Sequence, residues 1–269
     1  MSALTPLSQR LAQIRAEGRA ALIGYLPAGF PSVDGSIAAI KAMIAGGVDA
    51  IEVGFPYSDP VMDGPTIQLA ADRSLANGTN AADVLKIVKE IASTGTPTVV
   101  MTYWNPVLRY GIANFAHDLS EAGGSGLITP DLTIDEAGEW LVAAAENELD
   151  PIFVVAPSTG DERLAKVTAA CRGFIYAAST MGVTGARASV ASTAETLVRR
   201  VRVTSNSPIC VGLGVSDAHQ ASEVAQYADG VIVGSAFVRA LLDVPNLDDG
   251  LAAVEALARS LAEGVRRRP

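Results

Sequence analysis

The sequence predicts an α/β protein with a single (β/α)8 barrel and an extra helix at its N-terminus. Three observations lead there. Eight short β-like runs recur along the 269 residues, and most are continuously apolar, the pattern of parallel strands buried on both faces. Stretches with apolar spacing near 3.6 residues fill the intervals. No Ser/Gly-rich linker or charge block divides the chain, so residues 1–269 read as one barrel domain of ordinary length for that fold.

The opening segment, MSALTPLSQRLAQIRAEG, reads as a polar amphipathic helix ahead of the first strand rather than a signal peptide. Strands are expected at 20–27 (AALIGYLP), 49–56 (DAIEVGFP), 97–104 (PTVVMTYW) and 126–131 (GLITPD), then at 151–157 (PIFVVAP), 173–179 (GFIYAAS), 208–214 (PICVGLG) and 230–236 (GVIVGSA). Helices are expected between them, with Ser32, Asn80, Thr133, Ser192, Ser216 and Ser235 as N-caps and Gly46-Gly47 as a stop. An open doubly wound sheet would usually carry a glycine fingerprint after its first strand, and ALIGYLPAGFP lacks GxGxxG. The C-terminal RRRP is a short basic tail with no assigned role.

Composition narrows the partners. Hydrophobic residues make up 49% and aromatics 5%, so Ala, Val, Ile and Leu build the core. A net charge of −9 repels phosphate backbones, which argues against nucleic acid. No apolar run is long enough to span a bilayer. The two cysteines, Cys171 and Cys210, form no CxxC pair and read as buried thiols. A cytoplasmic location is expected.

In a barrel, the loops after the strands form the active face, and the unusual residues cluster there. Glu52 alternates with Ile51 and Val53 in an apolar strand, so it is expected to point into the barrel with a raised pKa suited to acid/base work. Asp63, on the Pro/Gly-rich loop that follows, is expected to meet water freely and stay ionised. The residues also admit a plainer reading, in which Glu52 pairs with an arginine or caps backbone amides and Asp63 caps the next helix. Gly185, Gly212, Gly214 and Gly234 let backbone approach a ligand after strands six, seven and eight. With Ser235 opening an apolar helix, they point to a phosphate-binding site. The four lysines and two histidines all fall in helical stretches, which argues against a Schiff-base lysine or a His-rich metal site.

The run Ile51-Glu52-Val53-Gly54-Phe55-Pro56-Tyr57-Ser58-Asp59-Pro60-Val61-Met62-Asp63-Gly64-Pro65 resembles the signature of the tryptophan synthase alpha subunit family. MTYWNP from Met101, GVTG from Gly182, GLGVS and VGSA extend the resemblance over essentially the whole chain. It implies retro-aldol cleavage of indole-3-glycerol phosphate to indole and glyceraldehyde 3-phosphate, with Glu52 as acid/base and Asp63 as substrate anchor. It implies further that Tyr25 and Tyr176 line the indole pocket, that Thr184 belongs to a lid over 179–191, and that Gly185, Gly214, Gly234 and Ser235 hold the phosphate. Pro56, Tyr57, Ser58, Asp59, Pro60, Asn105 and Pro106 match a surface that docks on a beta subunit in an alpha-beta-beta-alpha heterotetramer. Pyridoxal phosphate would belong to that partner, with no cofactor or metal in this chain. Met62 departs from the small residue usual before the aspartate. Two other readings stay open at this level: a phosphosugar isomerase or epimerase, and a non-catalytic regulatory binding subunit.

Overall fold

The computed structural model describes residues 4–178, 187–212 and 214–266. Eight parallel strands close in sequence order into a barrel: β1 (Ala21–Pro27), β2 (Ala50–Gly54), β3 (Thr98–Met101), β4 (Gly126–Thr129), β5 (Asp150–Val155), β6 (Ile175–Ala178), β7 (Ile209–Gly212) and β8 (Gly230–Val233). Closure is made by β1 pairing with β8, Leu22 opposite Val231 and Gly24 opposite Val233. The helices are α1 (Pro6–Ala16), α2 (Val33–Ala45), α3 (Pro65–Ala76), α4 (Ala81–Ala92), α5 (Trp104–Tyr110) and α6 (Ile112–Glu121). They continue with α7 (Gly138–Glu146), α8 (Asp161–Ala170), α9 (Arg187–Thr204), α10 (Ala218–Ala225), α11 (Ser235–Leu242) and α12 (Leu247–Arg266).

Each expected strand run matches one strand, with β5 starting one residue early at Asp150, because continuous apolar residues bury both faces. One face of β2, Ile51 and Val53, packs outward on the helices, while Ala50 joins the barrel interior with Ile23, Val99, Ile128, Ile152, Cys210 and Ile232. Both cysteines are buried free thiols.

Helix α1 closes the N-terminal end of the barrel with Leu7, Leu11 and Ile14. Its Thr5 N-cap accepts from the Ser8 amide at 3.0 Å. Two buried aspartates hold it in place. Asp150, at the start of β5, accepts from the hydroxyls of Thr5 at 2.5 Å and Ser8 at 3.0 Å. Asp49, just ahead of β2, accepts from Arg10 at 2.6 Å and from two nitrogens of Arg19 at 2.7 and 2.8 Å. Burial pushes the Asp49 carboxyl up, but the Arg19 hydrogen bonds, the Leu22 amide and the charges of Arg19 and Arg10 hold it below its usual range.

Several expected caps move. Ser32 and Asn80 cap α2 and α4, the latter with a full capping box closed by Asp83. Thr133 instead opens a turn closed by the Glu136 amide at 3.0 Å, and α7 begins at Gly138. Ser192 lies inside α9, since the alanine-rich stretch ahead of it is already helical. Asp217, not Ser216, caps α10 by accepting from the Gln220 amide at 2.9 Å. Ser235 is the first helical residue of α11, whose N-cap is Gly234.

Candidate active site

Glu52 sits mid-strand with no exposed surface. Among the described residues, neither of its carboxyl oxygens has a hydrogen-bond partner, and it makes no ion pair and caps no amide there. Its side chain lines a cavity of about 540 Å3 at the C-terminal mouth of the barrel. A carboxyl placed this way holds its proton tightly: burial first, and then the nearby Asp63 carboxylate, push it up to about 8.

Asp63 borders the same cavity from the β2–α3 loop. It does not cap α3, which begins at Pro65 with Gly64 as N-cap and no side-chain cap bond. The sequence placed it in open water, but the loop folds back over the barrel mouth and half-buries it. The Val61 and Met62 amides donate to the Tyr103 phenol at 3.1 and 3.0 Å, and the Gln68 side chain donates to the Asp63 carbonyl at 2.8 Å. Burial therefore raises the Asp63 carboxyl to about 6. Near neutral pH the cavity presents one carboxyl that keeps its proton and one that has lost it, an arrangement able to divide acid and base work. Met62, half-buried, enters the Tyr103 contact through its backbone, so its side-chain size does not decide the tie.

Tyr25 and Tyr176 wall the cavity, and glycines make room for them. A Cβ on Gly54 would lie 2.4 Å from the Tyr25 hydroxyl, and one on Gly234 would lie 2.8 Å from the base of the same ring. The ring thus spans from β8 toward β2, with its hydroxyl at the Glu52 side of the mouth. A Cβ on Gly212 would lie 2.6 Å from the Tyr176 hydroxyl. Burial and the charges of Asp63 and Glu52 push the Tyr25 phenol well above its ordinary range; burial, Glu52 and Asp63 do the same for Tyr176. Gly212 and Gly234 therefore serve tyrosine packing as well as turns. Gly214 has a φ of +71° and, among the described residues, no neighbour within 4 Å of an added Cβ, a position set by backbone conformation.

Gly214, Gly234 and Ser235 also line the cavity, on the segments that follow β7 and β8. The N-terminal end of α11 opens there without a side-chain cap, so helix dipole and first-turn amides favour an anion. Met101, Val154 and Ile232 complete the apolar wall. They face inward by the period-two alternation of their strands, a signal that could have marked them in advance. Among the described residues, no three His, Cys, Asp or Glu side chains gather as a metal-holding group, and no helix is long and apolar enough to cross a membrane.

Residues 11–266 match the family model described as tryptophan synthase alpha chain. The chain belongs to the tryptophan synthase alpha chain family. It is 59% identical over 266 residues to the tryptophan synthase alpha chain of Thermobifida fusca, covering 98% of each chain. In three dimensions it is similar to a chain of Mycobacterium tuberculosis tryptophan synthase, with a TM-score of 0.91, 55% identity, and coverage of 98% of this chain and 99% of that one. The tryptophan synthase alpha subunit of Legionella pneumophila, only 29% identical, still superposes with a TM-score of 0.90 over 98% and 99% of the two chains.

As a tryptophan synthase alpha chain, the molecule brings Tyr25, Glu52, Asp63, Tyr176, Gly214, Gly234 and Ser235 onto one cavity. Thr184 and Gly185, with most of the 179–191 segment read as a lid, lie outside the described residues. Of the segments matched to a docking surface, Ser58, Asp59 and Asn105 are exposed, Tyr57, Pro60 and Pro106 are half-buried, and Pro56 is buried beneath them. Asn105 donates to the Tyr57 hydroxyl at 3.4 Å, joining the two segments into one patch. Tyr103 was also missed in the sequence; its hydroxyl meets amides 41 and 42 positions earlier in the chain.

Proposed function

We infer that this chain cleaves indole-3-glycerol phosphate to indole and glyceraldehyde 3-phosphate, a carbon–carbon lyase step of tryptophan biosynthesis. One observation carries the reading: a buried Glu52, without a hydrogen-bond partner among the described residues, shares a ligand-sized cavity with Asp63. Protonated Glu52 delivers its proton to the ring carbon that bears the side chain. The resulting carboxylate takes the proton from the adjacent side-chain hydroxyl. That oxygen becomes the aldehyde carbonyl, the carbon–carbon bond breaks, and its electron pair restores the aromatic ring. Positive charge spreads to the ring nitrogen before the bond breaks, and ionised Asp63 accepts that N–H. Such a charged hydrogen bond in a water-poor site strengthens as charge develops, which lowers the barrier.

Tyr25 and Tyr176 hold the ring, and Gly214, Gly234, Ser235 and the N-terminus of α11 hold the phosphate, with Thr184 and Gly185 assigned to the same ligand by the family resemblance. The test is spectrophotometric assay of indole release by the purified chain. Wild type is expected to release indole and Glu52→Gln to lose about 10²–10⁴-fold in kcat. Full activity in a folded Glu52→Gln variant would overturn the acid/base role, and the absence of indole from wild type would overturn the reaction.

The family name carries a beta partner with it. The proposed assembly is an alpha-beta-beta-alpha heterotetramer in which pyridoxal phosphate belongs to the beta subunit and this chain needs no cofactor. Tyr57 to Pro60, Asn105 and Pro106 form the docking face, and Val61 and Leu108 beside them leave 78% and 53% of their surface exposed, which supports a covered patch. A light-scattering mass that stays at that of separate subunits after mixing would count against it. Residues 1–269 are proposed to form one domain, and the cytoplasm is the proposed location.

A further inference from the structure

Tyr103 does not line the cavity, yet it is 95% buried against the loop that carries Asp63 (5% exposed). It follows β3, and its phenolic oxygen accepts the amides of Val61 and Met62 at 3.1 and 3.0 Å. The Tyr57 ring, from the start of the same loop, packs on the Tyr103 ring with centroids 5.1 Å apart and planes tilted by 30°. The stretch between them has little packing of its own: Ser58 and Asp59 are exposed, and Val61 turns its side chain to solvent. Two adjacent amides meeting one phenol from the segment between β3 and α5 therefore form a cross-link to the barrel immediately before Asp63. Gln68 holds the far side of Asp63 from within α3.

We propose that Tyr103 is the positioning residue of the lyase site, fastening the Val61 and Met62 amides so that the Asp63 carboxylate stays over the ring pocket. The proposal deepens the lyase reading and rests on it. Substituting Tyr103→Phe keeps the ring stack and removes the acceptor. In the full-length variant, amide hydrogen exchange at Val61 and Met62 is expected to accelerate by about 10-fold or more, while Val99 and Ile51 in the strands stay protected. The kcat for indole release is expected to fall about 10-fold with KM within about 2-fold, because the phosphate end of the cavity is untouched.

Unchanged exchange and unchanged kcat would overturn the proposal. So would a loss of activity shared equally between kcat and KM. If the variant failed to fold, exchange in the wild type still decides: Val61 and Met62 are expected to be protected relative to Ser58 and Asp59, and equal rates would overturn the cross-link. A wild type that releases no indole would sink the lyase reading alone, since the exchange measurements do not depend on turnover.

Discussion

Glu52 and Asp63 set opposite limits on activity, and their environments say where those limits fall. Asp63 must be ionised to accept the ring N–H, so activity falls as pH drops through about 6. Glu52 must carry its proton at the start, so activity falls as pH rises through about 8. A pH profile of kcat/KM is expected to be bell-shaped between those values. A flat profile from about pH 5 to about pH 9 would contradict this division of roles. Folding carries the same signature. The Glu52 carboxyl is raised in the folded state, so between its unfolded value of 4.5 and about 8 the folded chain binds a proton that the unfolded chain has lost. Stability from this group is fully present below 4.5 and is lost as pH rises to about 8. Glu52→Gln removes that loss and is expected to melt at least about 5 °C above wild type near pH 9, with little difference near pH 5. Equal melting temperatures near pH 9 would show the carboxyl is not desolvated. The inward aim of Glu52 was legible from Ile51 and Val53 on either side. The half-burial of Asp63 was not, because it depends on a tyrosine forty residues away in the chain.

At the scale of elements, the barrel's lower end depends on α1. Asp49 joins two arginines, one on α1 and one just after it, to the start of β2, and its side chain is 2% exposed. Replacing it by Asn leaves Arg10 and Arg19 with only the half-exposed Glu17 as a counter-charge and is expected to cost about 3 kcal/mol, read from urea unfolding. Because the Asp49 carboxyl is lowered, its contribution is present above its unfolded value of 3.8 and is lost as pH falls below that. A cost that persisted unchanged at a pH well below that value would contradict the ion pairing. Helix interiors were readable from their apolar period and their ends less so. Asn80 followed by Asp83 is a local cap and was visible in the sequence. Thr133 carries the same local signal, but the chain makes one turn and starts the helix at Gly138 instead. The roles of Asp49 and Asp150 were hidden because their partners come from the N-terminal segment across the barrel floor.

For the whole molecule, eight apolar runs without a dividing linker were enough to anticipate a closed ring, since only closure buries every strand of a parallel set without leaving an edge. What period and spacing could not supply was the pairing of glycines with tyrosines across strands. Gly212 and Gly234 read as glycines that let backbone approach a ligand and Gly54 as part of a strand run, but each lies where a side chain would strike Tyr25 or Tyr176. Closure also brings the loops after β2, β7 and β8 to one cavity, which holds both acids and the open start of α11, and the substrate is expected to bridge them within it. A crystal structure with an unreactive analogue of indole-3-glycerol phosphate tests that claim most directly. The ring nitrogen is expected at about 2.6–3.2 Å from the Asp63 carboxylate, Glu52 within similar reach of the side-chain hydroxyl, and the phosphate at Gly234 and Ser235. A ring lying beyond reach of both carboxyls, with the phosphate elsewhere, would contradict the account.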